Sequence, residues 1–451
     1  MITTINNKHN KLNVPNKREQ NQTCLDSAER EGLSPKGNVP TLRFPEFQGE
    51  WEKHELGDIC ETITDFVAAG SFASLRENVK YYQEDNYAQL VRTVDLKKDF
   101  TNNDFVYVDE LAYDFLWRVQ LKEPNIILPN IGANIGEKYY VSPEDLPKEK
   151  NVLGPNAILL RSKCNDTHFV YFRLSTSSYD NEMKKLVGAS GQPKFNKTDL
   201  KKVRLFMPSL KEQKKISHFL GLLEERIATQ NKIIDKLQSL IKGIEDNLLD
   251  NPLWEKTYLR SFMQFFPTNS LSWEQLSYKE GAIRNLHYGL IHGFQTRGIN
   301  SASLPMIKNE AVPKQYISCQ VGDVAFADAS EDTGEIAKSV EFVDTIEGDT
   351  ICGLHTIHGR DIKNRTVVGF KGFAFNSRYF HNQIKRLAQG TKVFSITANN
   401  LSSCYVYLPD LETQKAIVKL LRSYEEQLII GRIILKQYEK QKQYLLRQMF
   451  I

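Results

Sequence analysis

At 451 residues the chain is too long for one ordinary domain and suits two domains with accompanying helical elements. It is 41% hydrophobic and 25% charged, as globular proteins are, and no apolar stretch approaches the roughly 18 residues that a membrane span needs. The net charge of +4 permits a nucleic-acid partner without requiring one, and the polar N-terminus lacks the pattern of a signal peptide, so a cytoplasmic location is expected.

Residues 1–38 are rich in Asn, Lys and Gln and read as a disordered polar arm. A lead-in, VPTLRFPEFQGEWEKHELGDI, starts at Val39 and opens a first domain of short strands and turns over 39–208. Strand candidates are AQLV from Ala88, NIILPNI from Asn125, KYYV from Lys138 and AILLR from Ala157, with a polar helix around 167–187. Gly132 and Gly136 mark a turn between strands. A long helix follows over 209–250. The second domain, 251–409, has the same texture: Trp273 and Leu276 are placed opposite Trp51 and Leu56, a turn falls near Gly334, and GDVAFA from Gly322 and GFAFN from Gly372 are read as strands. A second long helix covers 410–451.

The two helices begin in variants of one segment offset by 201 residues: LKKVRLFMPSLKEQKKISHFLGLLEE from Leu200 and LSSCYVYLPDLETQKAIVKLLRSYEE from Leu401. Pro208 matches Pro409, Gln213 matches Gln414, and Ser209 and Asp410 stand where a helix cap is needed. Beyond them, Ile216, Leu220, Leu223, Ile227, Gln230, Ile234, Leu237, Ile241, Ile244 and Leu248 form an unbroken 4-3 heptad seam. The second seam reads Ile417, Leu421, Tyr424, Leu428, Gly431, Leu435, Tyr438, Lys442, Leu445 and Met449, with Gly431 aligned to Gln230. Two seams in one chain satisfy each other, so an intramolecular antiparallel coiled coil is expected, each helix about 58 Å long.

Catalytic signatures are missing: the sequence has no phosphate-binding loop, no nucleophile elbow and no H-E-x-x-H, and GANIGEK from Gly132 has the wrong spacing. Six cysteines without C-x-x-C spacing argue against a disulfide framework and a cysteine zinc site, and Cys352, His355 and His358 in CGLHTIH read as a strand or loop edge. No metal and no cofactor site is therefore expected in this chain.

From LRFPEFQGEW at Leu42 through PSLKEQKKI at Pro208 to PDLETQKAI at Pro409, the order of elements resembles the specificity subunit of type I restriction–modification systems. The resemblance implies an α+β fold with two small target-recognition domains separated by the two long helices. Each domain would read one half of a split double-stranded DNA target. The helices would form the spacer and dock the methyltransferase subunits, and catalysis would belong to other chains. Adenine methylation would use S-adenosylmethionine bound by the methyltransferase partner; ATP and Mg would belong to the restriction endonuclease/translocase subunits. Loops that lie near DNA in the family put forward Gln192 and Lys194 in GASGQPKFNK, and Gln389 and Lys392 in AQGTKVF. Further candidates are Arg92, Thr93, Asn130, Asn134, Tyr288, Gln295 and Arg297, where Arg and Asn/Gln suit guanine and adenine edges. Lys194 and Lys197 suit phosphates. Two half-sites, each base pair worth roughly 1–3 kcal/mol of discrimination, then add across a stiff spacer. The rival readings are a self-sufficient DNA-processing enzyme, testable by activity of the isolated chain with a divalent metal, and a coiled-coil scaffold, which predicts no sequence-selective binding.

Overall fold

A computed structural model of the chain describes residues 37–101, 104–132, 135–187, 194–294, 296–344 and 348–451. The polar arm expected over 1–38 lies outside this range but for its last two residues. The chain forms two compact units, Met1–Glu225 with Glu439–Ile451, and Arg226–Tyr438.

The first unit holds a four-stranded antiparallel sheet in the order β2-β8-β5-β6, from β2 (Thr62–Asp65), β5 (Asn125–Pro129), β6 (Tyr139–Val141) and β8 (Ala157–Arg161). A three-stranded sheet runs β4-β3-β7, from β3 (Ala88–Val91), β4 (Tyr107–Val108) and β7 (Asn151–Leu153), with β3 parallel to β7. The strand candidates AQLV, NIILP and AILLR form where expected. They are continuous apolar runs because almost every one of their residues is buried, in a core that includes Leu90, Val91, Ile127, Val152 and Leu159. A third pair joins β1 (Glu52–Glu55) to β9 (Arg204–Met207), the strand that leads into the first long helix. The polar helix expected around 167–187 is two helices, α1 (Thr167–Leu174) and α2 (Ser177–Val187). The Thr176 side chain breaks the run by bonding the Arg173 carbonyl at 2.9 Å.

The second unit repeats this plan. Its five-stranded sheet runs β11-β20-β16-β18-β14, from β11 (Met263–Phe266), β14 (Gly298–Ile299), β16 (Val324–Ala327), β18 (Ser339–Phe342) and β20 (Thr356–Asp361). A four-stranded sheet runs β12-β15-β13-β19, from β12 (Leu276–Ser277), β13 (Arg284–Leu286), β15 (Met306–Ile307) and β19 (Thr350–Cys352), with β13 parallel to β19. β10 (Glu255–Tyr258) pairs with β22 (Tyr405–Leu408) as β1 pairs with β9. The counterpart of Trp51-Glu52-Lys53 is therefore Trp254-Glu255-Lys256, not the expected Trp273, and Leu259 answers Leu56. The stretch expected as a strand at Gly372 is instead a buried helix, α4 (Phe370–Ala374), set by Phe370, Phe373 and Phe375 packing into the core.

The long helices are α3 (Leu210–Leu249) and α5 (Leu411–Gln448), of 40 and 38 residues; α4 lies between them in sequence. At 1.5 Å per residue they measure about 60 and 57 Å. Every seam position named above is buried or half-buried. In the second unit Ile234 and Ile241 pack with Leu428 and Leu435, and Gln230 Nε2 donates to the Gly431 carbonyl at 3.2 Å. In the first, Lys442 donates to Glu224. Rising numbers on one helix meet falling numbers on the other, so the pair is antiparallel.

Candidate nucleic-acid interface

The repeated P-x-L-x-x-Q segment is a tether. Gln213 is buried; its Nε2 donates to the Pro208 carbonyl and to Asn165 Oδ1, both at 2.9 Å, and its Oε1 accepts the Asp166 amide at 3.0 Å. Gln414 donates to the Pro409 and Arg365 carbonyls and accepts the Val367 amide, each at 3.0 Å. One amide side chain thus ties the first turn of each long helix to its own globular part. Asp410 caps the second helix through the Thr413 amide at 2.9 Å, as its sequence position predicts. In the first unit the lead-in joins the tether: Arg43 donates to Glu212 at 2.7 and 2.8 Å, and Trp51 Nε1 donates to the same carboxylate at 3.3 Å.

Each unit carries two loops that meet each other. In the first, the Phe195 amide donates to the Asn130 carbonyl at 3.2 Å and Ile131 bridges Lys194, so Asn130 and Lys194 become neighbours. Asn130 Nδ2 is spent on the Phe195 carbonyl, while the Lys194 side chain is exposed. Lys197 pairs with Asp65 at 2.8 Å. In the second unit β17 (Ala329–Ser330) pairs with β21 (Phe394–Ser395), the same loop-to-loop contact. Gln389 and Ser395 bond each other's backbones, closing a tight turn with Lys392 exposed on it. Gly390 sits there at φ +127°, and a Cβ would lie 2.0 Å from the Val393 carbonyl oxygen, so only glycine fits.

A second pair of equivalent positions follows β3 and β13. Arg92 and Thr93 begin the short helix Thr93–Lys97, and His287 and Tyr288 begin the helix Tyr288–Gly293. Arg92 is tied down, by Asp95 at 2.7 Å and by donation to the Asp104 carbonyl at 2.7 Å. Tyr288 is half-buried in a ring cluster: 4.7 Å from His287, 5.3 Å from His355 and 6.2 Å from His292, with Trp273 4.5 Å from His287. Burial, then the charge of His355, pushes the His287 pKa down. The sequence reading put forward neither His287 nor His292, though both flank Tyr288, and took His355 only for part of a strand or loop edge. Arg297 stands apart from these loops. Its amide donates to Glu425 at 3.1 Å on the long helix, and its charge acts on Glu245 and Glu425. Asn134, Gln192 and Gln295 lie outside the described residues.

The repeat-related carboxylates Glu224 and Glu425 have opposite surroundings. Burial pushes the Glu224 pKa up, but His168 and Lys442 outweigh it and hold the group below its ordinary value. Burial drives Glu425 up to about 7, against the opposing pull of Arg297 and with Glu245 adding to the rise. One group of metal-ligand type occurs among the described residues, Cys319, Cys352 and His358. His355 is not in it; it takes φ +54° and faces Asp328 at 3.0 Å. No helix among the described residues is long and apolar enough to cross a membrane.

Comparison with known proteins follows the same outline. The family model described as type I restriction modification DNA specificity domain matches residues 48–239 and 304–439. The MjaX protein of Methanocaldococcus jannaschii, carrying the name of a type I restriction enzyme specificity subunit, is 26% identical over 425 residues, 90% of this chain and 94% of its own length. The MjaVIII specificity subunit of that organism is 24% identical, over 89% of this chain and 91% of its own. In structure, the S subunit of a type I restriction–modification system from M. genitalium matches with a TM-score of 0.56 at 12% identity, over 92% of this chain and 99% of that one. A chain solved for assembly and conformational transition of a type I restriction–modification system gives 0.51 at 12% identity, over 90% and 98%.

Proposed function

The chain belongs to the type I restriction–modification DNA specificity family, and on that premise we propose that each unit reads one half-site of a bipartite double-stranded DNA target while the long helices set the gap between them. The chain is a specificity subunit with target-recognition domains. In our reading it is not itself catalytic. Methyltransferase subunits dock on it, bind S-adenosylmethionine and methylate adenine, and restriction subunits carry ATP and Mg. The work takes place in the cytoplasm.

The observation that carries this reading is the twice-built tether. Gln213 and Gln414 hold two globular parts of one topology against the starts of two helices in the same way. Each unit is thus held to the start of its own long helix in the same way. Within the units, Lys194 and Lys392 are exposed and suited to phosphates, and Gln389 and Tyr288 stand next to base edges in our reading. Arg297, facing Glu425 and Glu245, serves the helix contact.

The test is co-expression with the partner methyltransferase subunit, followed by single-molecule sequencing of modified adenines. A split motif with a constant gap supports the reading. A stoichiometric complex that leaves no modified adenine overturns it, as does DNA cleavage by the chain alone with a divalent metal.

A further inference from the structure

The four buried side chains Cys319, Cys352, His358 and Asp323 lie together in the second unit and have no part in reading DNA as described above. Cys352 ends β19 and His358 lies in β20, strands of two different sheets. Cys319 reaches them from the preceding loop, held by its amide donating to the Thr350 carbonyl at 2.7 Å. The two sulfurs are 3.5 Å apart, and a ring nitrogen of His358 lies within 4.8 Å of both.

These distances suit a soft tetrahedral ion. Two thiolates at about 2.3 Å from zinc stand about 3.8 Å apart across the edge of a tetrahedron, whereas a disulfide needs about 2.05 Å. The imidazole is also braced as zinc ligands are. His358 Nε2 lies 2.8 Å from Asp323 Oδ2, which leaves Nδ1 as the nitrogen with a free lone pair. Asp323 is fixed in turn by the Arg360 guanidinium at 2.8 and 2.7 Å and by the Gln320 amide at 2.7 Å. A cavity of about 370 Å³, lined by polar and apolar residues alike, borders Cys352.

We infer that Cys319, Cys352 and His358 bind a zinc ion, with Asp323 orienting the imidazole and a water completing the tetrahedron. Binding releases the two thiol protons to solvent. The ion joins the four-stranded sheet to the five-stranded sheet, so its role is to brace the second recognition domain. In the sequence Cys352, His355 and His358 read as a strand or loop edge; the structure drops His355, which faces Asp328, and brings in Cys319, 33 residues from Cys352.

The experiment strips the purified full-length chain with a chelator, titrates it with Zn²⁺ under reducing conditions, and measures bound metal by mass spectrometry and its ligands by X-ray absorption. The expected result is about one zinc per chain with two sulfur ligands and a nitrogen. Asp323→Asn should weaken zinc affinity about 10–100-fold, Cys319→Ser should abolish stoichiometric binding, and His355→Gln should leave it unchanged. The wild-type absorption spectrum keeps the test valid if a cysteine variant fails to fold. Absence of stoichiometric zinc in the wild type overturns the inference. So does zinc retained in a folded Cys319→Ser chain, or an intact mass showing Cys319 and Cys352 joined as a disulfide.

Discussion

Gln414→Ala tests the tether most sharply. The side chain is buried and makes three hydrogen bonds, accepting from the Val367 amide and donating to the Arg365 and Pro409 carbonyls. Alanine leaves all three groups without this partner. A buried polar group deprived of its partner costs about 1–3 kcal/mol, and carbonyls relax more readily than an amide, so about 3 kcal/mol is expected in total. At 1.4 kcal/mol per tenfold, that is about a 100-fold larger open fraction at the helix start. The quantity to read is hydrogen exchange at the Val367 amide, because a chain of two units need not unfold in one step. Gln414→Glu supplies a sign check. A carboxylate facing two carbonyls is disfavoured, so its folded pKa rises above the unfolded value. The variant is then least perturbed at low pH and loses protection as pH climbs through that raised pKa. Gln213→Ala should act likewise on the Asp166 amide and leave Val367 alone. With the partner methyltransferase present, each variant should weaken recognition of one half-site only. Val367 exchange within threefold of wild type in Gln414→Ala would refute the tether.

Three further outcomes are expected. The pKa of Glu425, raised by burial to about 7 with Arg297, Glu245 and Arg422 around it, means that the folded state holds a proton the unfolded chain gives up near 4.5. Stability is therefore lost as pH rises from about 4.5 to 7, by at most about 3 kcal/mol, and Glu425→Gln should stabilise the second unit at pH 8 but not at pH 4, as thermal melts at the two values would show. Lys194→Ala and Lys392→Ala should each weaken DNA binding evenly across sequences and lower the salt slope by about 1; an altered target sequence would count against phosphate contact. Inserting four residues into each long helix beside Gln230 and Gly431 adds about 6 Å. That should lengthen the gap by one or two base pairs with both half-sites unchanged, and altered half-sites at a constant gap would sink the ruler.

What could be read from the sequence followed from how local each signal is. The heptad seam is a period, so it survives without tertiary context, and its named positions are buried or half-buried. AQLV, NIILP and AILLR are apolar runs short enough to be only strands. GFAFN looked the same, yet Phe370, Phe373 and Phe375 bury as a helical turn, a choice made by the core around them and not by propensity. Trp273 and Leu276 resemble Trp51 and Leu56 in type but not in spacing. W-E-K-x-x-L stands at both Trp51 and Trp254, and the β10–β22 pairing, equivalent to β1–β9, identifies it as the repeat of the lead-in. The candidate contacts were the least legible. Arg92 is consumed by Asp95 and Asp104, and Arg297 faces Glu425, partners three, 12 and 128 residues away that no local pattern announces.

The irregular second seam has a physical reason that the sequence alone did not supply. Gln230 and Gly431 are counterparts in the repeat, and in the antiparallel pair they meet each other. Two glutamines there would crowd a layer whose neighbours are Ile234 and the facing backbone. Two glycines would leave a gap and weaken both helices, at about 1 kcal/mol per glycine relative to alanine. One of each lets the amide reach a backbone carbonyl that the missing side chain exposes. A Cβ at 431 would stand 3.1 Å from Gln230 Nε2 and 3.4 Å from Ile234 Cγ1, so the fit is already close. Sliding the helices by one heptad would put Gln230 opposite Tyr424 or Tyr438 and bury its amide without that carbonyl. A single buried polar pair fixes register at some cost in stability. On this argument Gly431 is no defect in the coil: it is the residue through which Gln230 sets the alignment of the two helices.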